Sequence, residues 1–108
     1  MFAPIGEMHE PLTGAQRARL RGIGQRLEAV LKLGREGVTP ATLLELDRLL
    51  NADELVKIRF GAADRDERAA LCDRLASELS CDCVGAVGHT ALFFRRAKDP
   101  ARQQIDLA

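Results

Sequence analysis

The 108-residue sequence predicts one α/β domain in which a small four-stranded mixed sheet is packed with helices. Three observations point there. Val56, Ile58 and Phe60 alternate with Lys57 and Arg59, the period of a half-buried strand. Leu43, Leu46 and Leu50 recur at helical spacing, as do Leu71, Leu75 and Leu79. Cap and turn residues fall between these stretches and give the order α-β-α-β-α-β-β.

Residues 1–11 read as a flexible lead-in, 12–97 as the domain and 98–108 as a polar, frayed tail. Thr13 opens the first helix, with Gln16 three residues later completing a capping box. Leu20, Ile23 and Leu27 follow at helical spacing, and Arg17 and Arg21 sit one turn apart on a neighbouring stripe. Gly22 and Gly24 disfavour a helix interior, so the helix ends early or another backbone approaches it closely. Ala29 to Leu33 reads as a short strand, and Gly34 to Gly37 as a tight loop. Thr39-Pro40 caps and opens the second helix. After the strand ending at Phe60, a third helix runs from about Asp66 to Leu79, its acidic start suiting the helix dipole. Cys81 to Val87, the turn Gly88-His89 and Thr90 to Arg96 form a hairpin. Phe93 and Phe94 point to opposite faces of the last strand.

Composition narrows the function. With 46% apolar and 30% charged residues the chain can bury a core. Its apolar runs are too short to span a membrane, and its start does not look like a secretory signal. Three cysteines, an odd number, fit reduced thiols in a cytoplasm. With no Trp, no Tyr and four Phe, aromatic stacking on nucleobases is not the main binding mode. The formal net charge of zero hides segregation. Residues 12–37 carry six bases and two acids, whereas 38–54 carry one base and four acids. Arg95, Arg96 and Lys98 add a basic end. Such charges either form a polyanion-binding face or merely solvate the surface. Arg outnumbers Lys 13 to 3, and the guanidinium fork suits phosphate.

The most informative stretch is a strand, then Gly34-Arg35-Glu36-Gly37, then a helix capped by Thr39. Two glycines leave the backbone bare, so a phosphodiester chain can approach it. The helix start presents N–H groups and the positive dipole end to the same place, and Arg35 adds a charge-assisted contact. KH domains clamp nucleic-acid backbone by this logic. Taken alone, the motif also marks an ordinary strand-to-helix turn. A nucleotide-binding loop does not fit, because Val38-Thr39 stands where Gly-Lys-Ser or Gly-Lys-Thr would end it. Gly22-Ile23-Gly24 lacks the third glycine and the preceding strand of a dinucleotide fingerprint. Lys32, Lys57, Arg59 and Arg95 supply further cations around the loop and sheet.

Cys81 and Cys83 share one strand face, with Cys72 on the helix, but neither His9 nor His89 stands at a ligand spacing. Core thiols are the expectation, with no metal and no cofactor. No nucleophile–base–carboxylate set is evident, and no enzymatic activity is expected. A protein-binding adaptor whose basic face meets an acidic partner is the alternative to RNA binding.

The ordered blocks Leu12-Thr13-x-x-Gln16-Arg17-x-x-Leu20-Arg21, Leu33-Gly34-Arg35-Glu36-Gly37-Val38-Thr39, Glu54-Leu55-Val56-Lys57-Ile58-Arg59 and Val87-Gly88-His89-Thr90 resemble the stand-alone bacterial CRM-domain proteins, the YhbY-like group. The resemblance covers about Leu12 to Arg96. It implies a fold akin to the C-terminal domain of the third bacterial translation initiation factor. It also implies binding of ribosomal RNA in large-subunit precursors by an assembly factor; in plastids the same module is linked to intron splicing. Apart from the resemblance, a cytoplasmic monomer is the expectation. By position, the RNA contacts implied are Gly34, Arg35, Glu36, Gly37 and Thr39, with Arg17 and Arg21 of the first helix. Gln25, Ala29 and Phe94 stand where many relatives have His, Pro and Tyr.

Overall fold

The computed structural model describes residues 11–61 and 63–107. Helix α1 spans Gly14–Gly24, β1 Leu31–Leu33, α2 Pro40–Asp53, β2 Leu55–Phe60, α3 Arg65–Leu79, β3 Asp82–Val87 and β4 Thr90–Phe94; a short 3-10 turn follows at Pro100–Arg102. The predicted order holds. The first strand starts at Leu31 rather than Ala29, and the last ends at Phe94 rather than Arg96. Helix α3 begins slightly early because Asp64 caps it, forming a box with Glu67. The Thr13–Gln16 box and the Thr39 cap with Pro40 are present as expected.

The strands lie in the order β1-β2-β4-β3. Strand β1 runs parallel to β2, and β4 is antiparallel to both β2 and β3. Each β2 side chain belongs to one of two layers. Val56, Ile58 and Phe60 join Leu33, Ala91 and Phe93 under α2 and α3, where Leu46, Leu50 and Leu75 meet them. Leu55 joins Val84, Leu92 and Phe94 on the other face, covered by Leu20 of α1. Phe93 and Phe94 do point to opposite faces, and both are buried, so neither is left to stack on a base. Gly24 is indeed closely approached, but by a side chain: a Cβ there would collide with the Leu92 side chain. No described helix is long and apolar enough to cross a membrane.

The C-terminal segment departs most from expectation. Residues 98–107, read as a frayed polar tail, fold back beside α1, and Leu107 is buried with Leu20. The cause is Glu54, which ends α2 with a positive φ of 65° and is only 1% exposed. Its carboxylate accepts from the N–H groups of Ala97 (2.7 Å), Gln104 (2.6 Å) and Ile105 (3.2 Å). A carboxylate has room for about four such bonds, so three donors satisfy it without a cation. Arg95 adds a second tie, donating to the carbonyls of Leu79 (2.9 Å) and Asp47 (3.1 Å) and pairing with the Asp47 carboxylate (2.9 Å).

Replacing Glu54 with Ala leaves three inward N–H groups unpaired. It should cost about 2–4 kcal/mol and lower Tm by roughly 10 °C or more, with Glu54→Gln milder because one acceptor remains. Thermal denaturation checks this; an unchanged Tm for E54A would show that the tail is held by other means.

Candidate nucleic-acid interface

The loop is built from its two ends inward. The N–H of Gly61, just after β2, donates to the Leu33 carbonyl at 2.9 Å and fixes where β1 ends. The Gly37 N–H donates back to the Gly34 carbonyl at 3.1 Å, closing a tight turn with Arg35 and Glu36 exposed at its tip. Val38 then packs against the core, and the Thr39 hydroxyl accepts from the Thr42 N–H at 3.1 Å to start α2.

The two glycines have different reasons to be there. Gly37 takes φ +68°, which L side chains rarely adopt, and sits against Leu71 of α3, where a Cβ would lie 3.6 Å from Leu71 Cδ2. Gly34 has no positive φ, and a Cβ there would meet nothing within 4 Å. The turn requires Gly37; nothing in the fold requires Gly34. The bare backbone at Gly34 is free for something outside the chain.

A cationic strip adjoins the loop. Lys32 on β1 stands opposite Arg59 on β2, and Lys57 lies two residues before Arg59 on the same face. This is the sheet face that α1 and the tail cover elsewhere, and here it is left open: Lys32 and Arg59 are exposed and Lys57 half-buried. Lys32 leans toward the loop, since a Cβ on Gly61 would lie 3.3 Å from Lys32 Cε and 3.1 Å from the Leu33 carbonyl oxygen.

The other predicted cations are not gathered there. Arg17 donates to the Cys83 carbonyl (3.3 Å) and reaches the Asp82 carboxylate at 3.7 Å. Arg21 donates to the Val84 carbonyl (3.3 Å). Both therefore lie along β3, at the opposite sheet edge from β1 and three strand spacings, about 14 Å, away. Arg95 is spent on Leu79, Asp47 and Asn51 and holds the fold. Sequence reasoning missed the α3 side of the loop. A cleft of about 490 Å³ separates Gly34, Arg35 and Gly37 from Ala63, Glu67, Ala70, Leu71 and Arg74. Leu71 read only as core stripe; its spacing from Arg74, one turn on, was the available signal.

All three cysteines are free thiols. Interaction with the Cys83 thiol, helped by burial, raises the Cys72 thiol, and the same interaction lowers Cys83. Burial pushes Cys81 up to about 12. Among the described residues no group of three His, Cys, Asp or Glu is placed to hold a metal ion.

A four-stranded mixed sheet with helices on both faces and a Gly-x-x-Gly turn leading into a capped helix defines a small α/β module. The chain belongs to the CRS1/YhbY (CRM) domain family, whose model matches residues 12–95. It is 38% identical over 97 residues to a protein of Pseudomonas aeruginosa named a probable RNA-binding protein, covering 90% of this chain and 93% of that one. An RNA-binding protein of Haemophilus influenzae is 28% identical over 88 residues, covering 82% and 89%. The fold matches the solution structure of a hypothetical Staphylococcus aureus protein with a TM-score of 0.76 at 21% identity, over 89% of this chain and 100% of that one.

Two outcomes follow. Gly37→Ala should destabilise by about 1–2 kcal/mol, the usual cost of a left-handed residue with a Cβ, while Gly34→Ala leaves Tm unchanged; equal losses would mean that the turn needs both glycines. In neutral iodoacetamide Cys83 should alkylate first. Its lowered thiol holds more thiolate at that pH, and Cys72 and Cys81 are buried and shifted the other way. Peptide mass spectrometry reads the order, and Cys81 reacting first would overturn it.

Proposed function

We propose that this chain binds RNA through its glycine loop and the adjacent cationic strip, and that it acts as an assembly factor on ribosomal RNA in large-subunit precursors. One observation carries the reading: Gly34, bare without a structural reason, stands between the exposed Arg35 and the Lys32–Arg59 pair, at the mouth of a capped helix. An RNA backbone laid there meets amide donors, a positive helix end and guanidinium groups together. The names of the relatives support RNA as the polyanion. The sequence resemblance supports the large-subunit precursor.

In this mechanism the protein positions RNA and performs no chemistry. Backbone contacts set register and carry little sequence information. Lys32, Lys57, Arg59 and Arg35 supply attraction and on-rate. Gly37 and Thr39 act indirectly, by shaping the turn and the helix start. Glu36, exposed beside Arg35, keeps phosphate toward the Gly34 side of the turn by repulsion. Arg17 and Arg21 border a separate edge, which only a longer RNA would reach.

The tagged protein should co-sediment with large-subunit material at low salt and be stripped at higher salt. Staying at the top of the gradient in both would sink the ribosomal reading, and a complex surviving RNase would favour an acidic protein partner. In single-strand RNA titrations, Arg35→Ala and Arg59→Ala should each flatten the log–log salt dependence by about 0.7. Arg95→Ala should leave that slope unchanged and lower Tm instead.

A further inference from the structure

The cleft between the glycine loop and α3 shares Gly34 and Arg35 with the loop, but the chemistry of its α3 wall differs from that of the strip. Ala63, Ala70 and Leu71 line it with apolar groups. Its volume, about 490 Å³, lies within the roughly 300–1,000 Å³ of small-molecule sites. Arg35 stands on the loop side and Arg74 on the helix side. Gly37 packs on Leu71, so loop and wall form one unit.

We propose that this cleft seats one base of the single-stranded RNA whose backbone crosses the loop. The inference rests on the RNA-binding reading and deepens it. A phosphate gains nothing on an apolar floor and would lose its hydration. A flat heteroaromatic base loses apolar surface there instead. The phosphates on either side of a seated base then fall beside Arg35 and Arg74. Arg74 is held by Glu78 at 2.9 Å in an exposed pair one turn apart, which is cheap to exchange for a phosphate.

Glu67 adds selectivity. One carboxylate oxygen accepts from the Asp64 N–H at 3.3 Å in the capping box, and the other has no hydrogen bond among the described residues. A carboxylate at the lip repels phosphate and accepts from an exocyclic amino group. Adenine, cytosine and guanine carry one; uracil offers carbonyl oxygens there. The cleft therefore disfavours uracil.

The test compares a nine-nucleotide oligoadenylate, an oligouridylate and an abasic ribose-phosphate chain of equal length by fluorescence anisotropy. The oligoadenylate should bind about five- to tenfold tighter than the abasic chain, the return expected from burying one base face. Ala70→Leu, at an exposed mid-helix position, fills the floor and should bring that ratio to about one without weakening the abasic chain. Glu67→Gln, which keeps the capping box, should erase the preference for oligoadenylate over oligouridylate. Equal wild-type affinity for the oligoadenylate and the abasic chain, or a ratio unchanged in A70L, overturns the cleft assignment while RNA binding stands. If no oligonucleotide binds even at low salt, the RNA reading falls and the cleft assignment with it.

Discussion

A helix about 10 Å wide cannot cover a four-stranded sheet whose outer strands lie about 14 Å apart. Two helices, α2 and α3, close one face completely. The other face has only α1 and the returning C-terminal segment, and both gather over β3, β4 and the start of β2. The uncovered remainder is β1 and the far half of β2. Any side chain pointing out of that quarter must live in water, and the chain places Lys32, Lys57 and Arg59 there. The cationic strip thus follows from the count of helices per face, and the glycine loop, which leaves β1, emerges at its border.

The closed portion of that face depends on a charged group in an unusual setting. Glu54 looks like one more acid in an acid-rich segment, yet it is buried and gathers three backbone donors from residues 97–105. Backbone N–H groups pair more cheaply with a fixed carboxylate than with nothing, so the tail is held where simple polarity would leave it loose. Arg95 plays the matching part across α2 and α3. Buried polar groups here organise the fold, while Lys32 and Arg59 stay exposed on the uncovered part of the sheet.

The loop shows how one motif divides its labour. Gly37 answers to backbone geometry and to Leu71, and Gly34 answers to neither. The motif's spacing was legible because glycine is the residue a positive φ demands, and the Thr39 cap was legible because hydroxyl caps recur. The division between the two glycines was not legible, because it depends on what surrounds each Cα. The separation of Arg17 and Arg21 from the loop was equally hidden. They precede it in sequence, but β4 inserts between β2 and β3 and carries the edge they sit on to the far side of the sheet.

Local chemistry, then, was written in the sequence: the caps, the alternation on β2, the leucine stripes and the turn at Gly34–Gly37. Each depends on residues within one or two turns of one another, and their side chains suffice to specify it. Strand order, the helix count on each face, the burial of Glu54 and Leu107, and the cleft between the loop and α3 were decided by tertiary structure. Each joins residues far apart in the chain, as Glu54 joins Ala97 and Gln104 across 43 and 50 positions. Such contacts are chosen by which apolar faces must close on each other, and no local pattern records that choice.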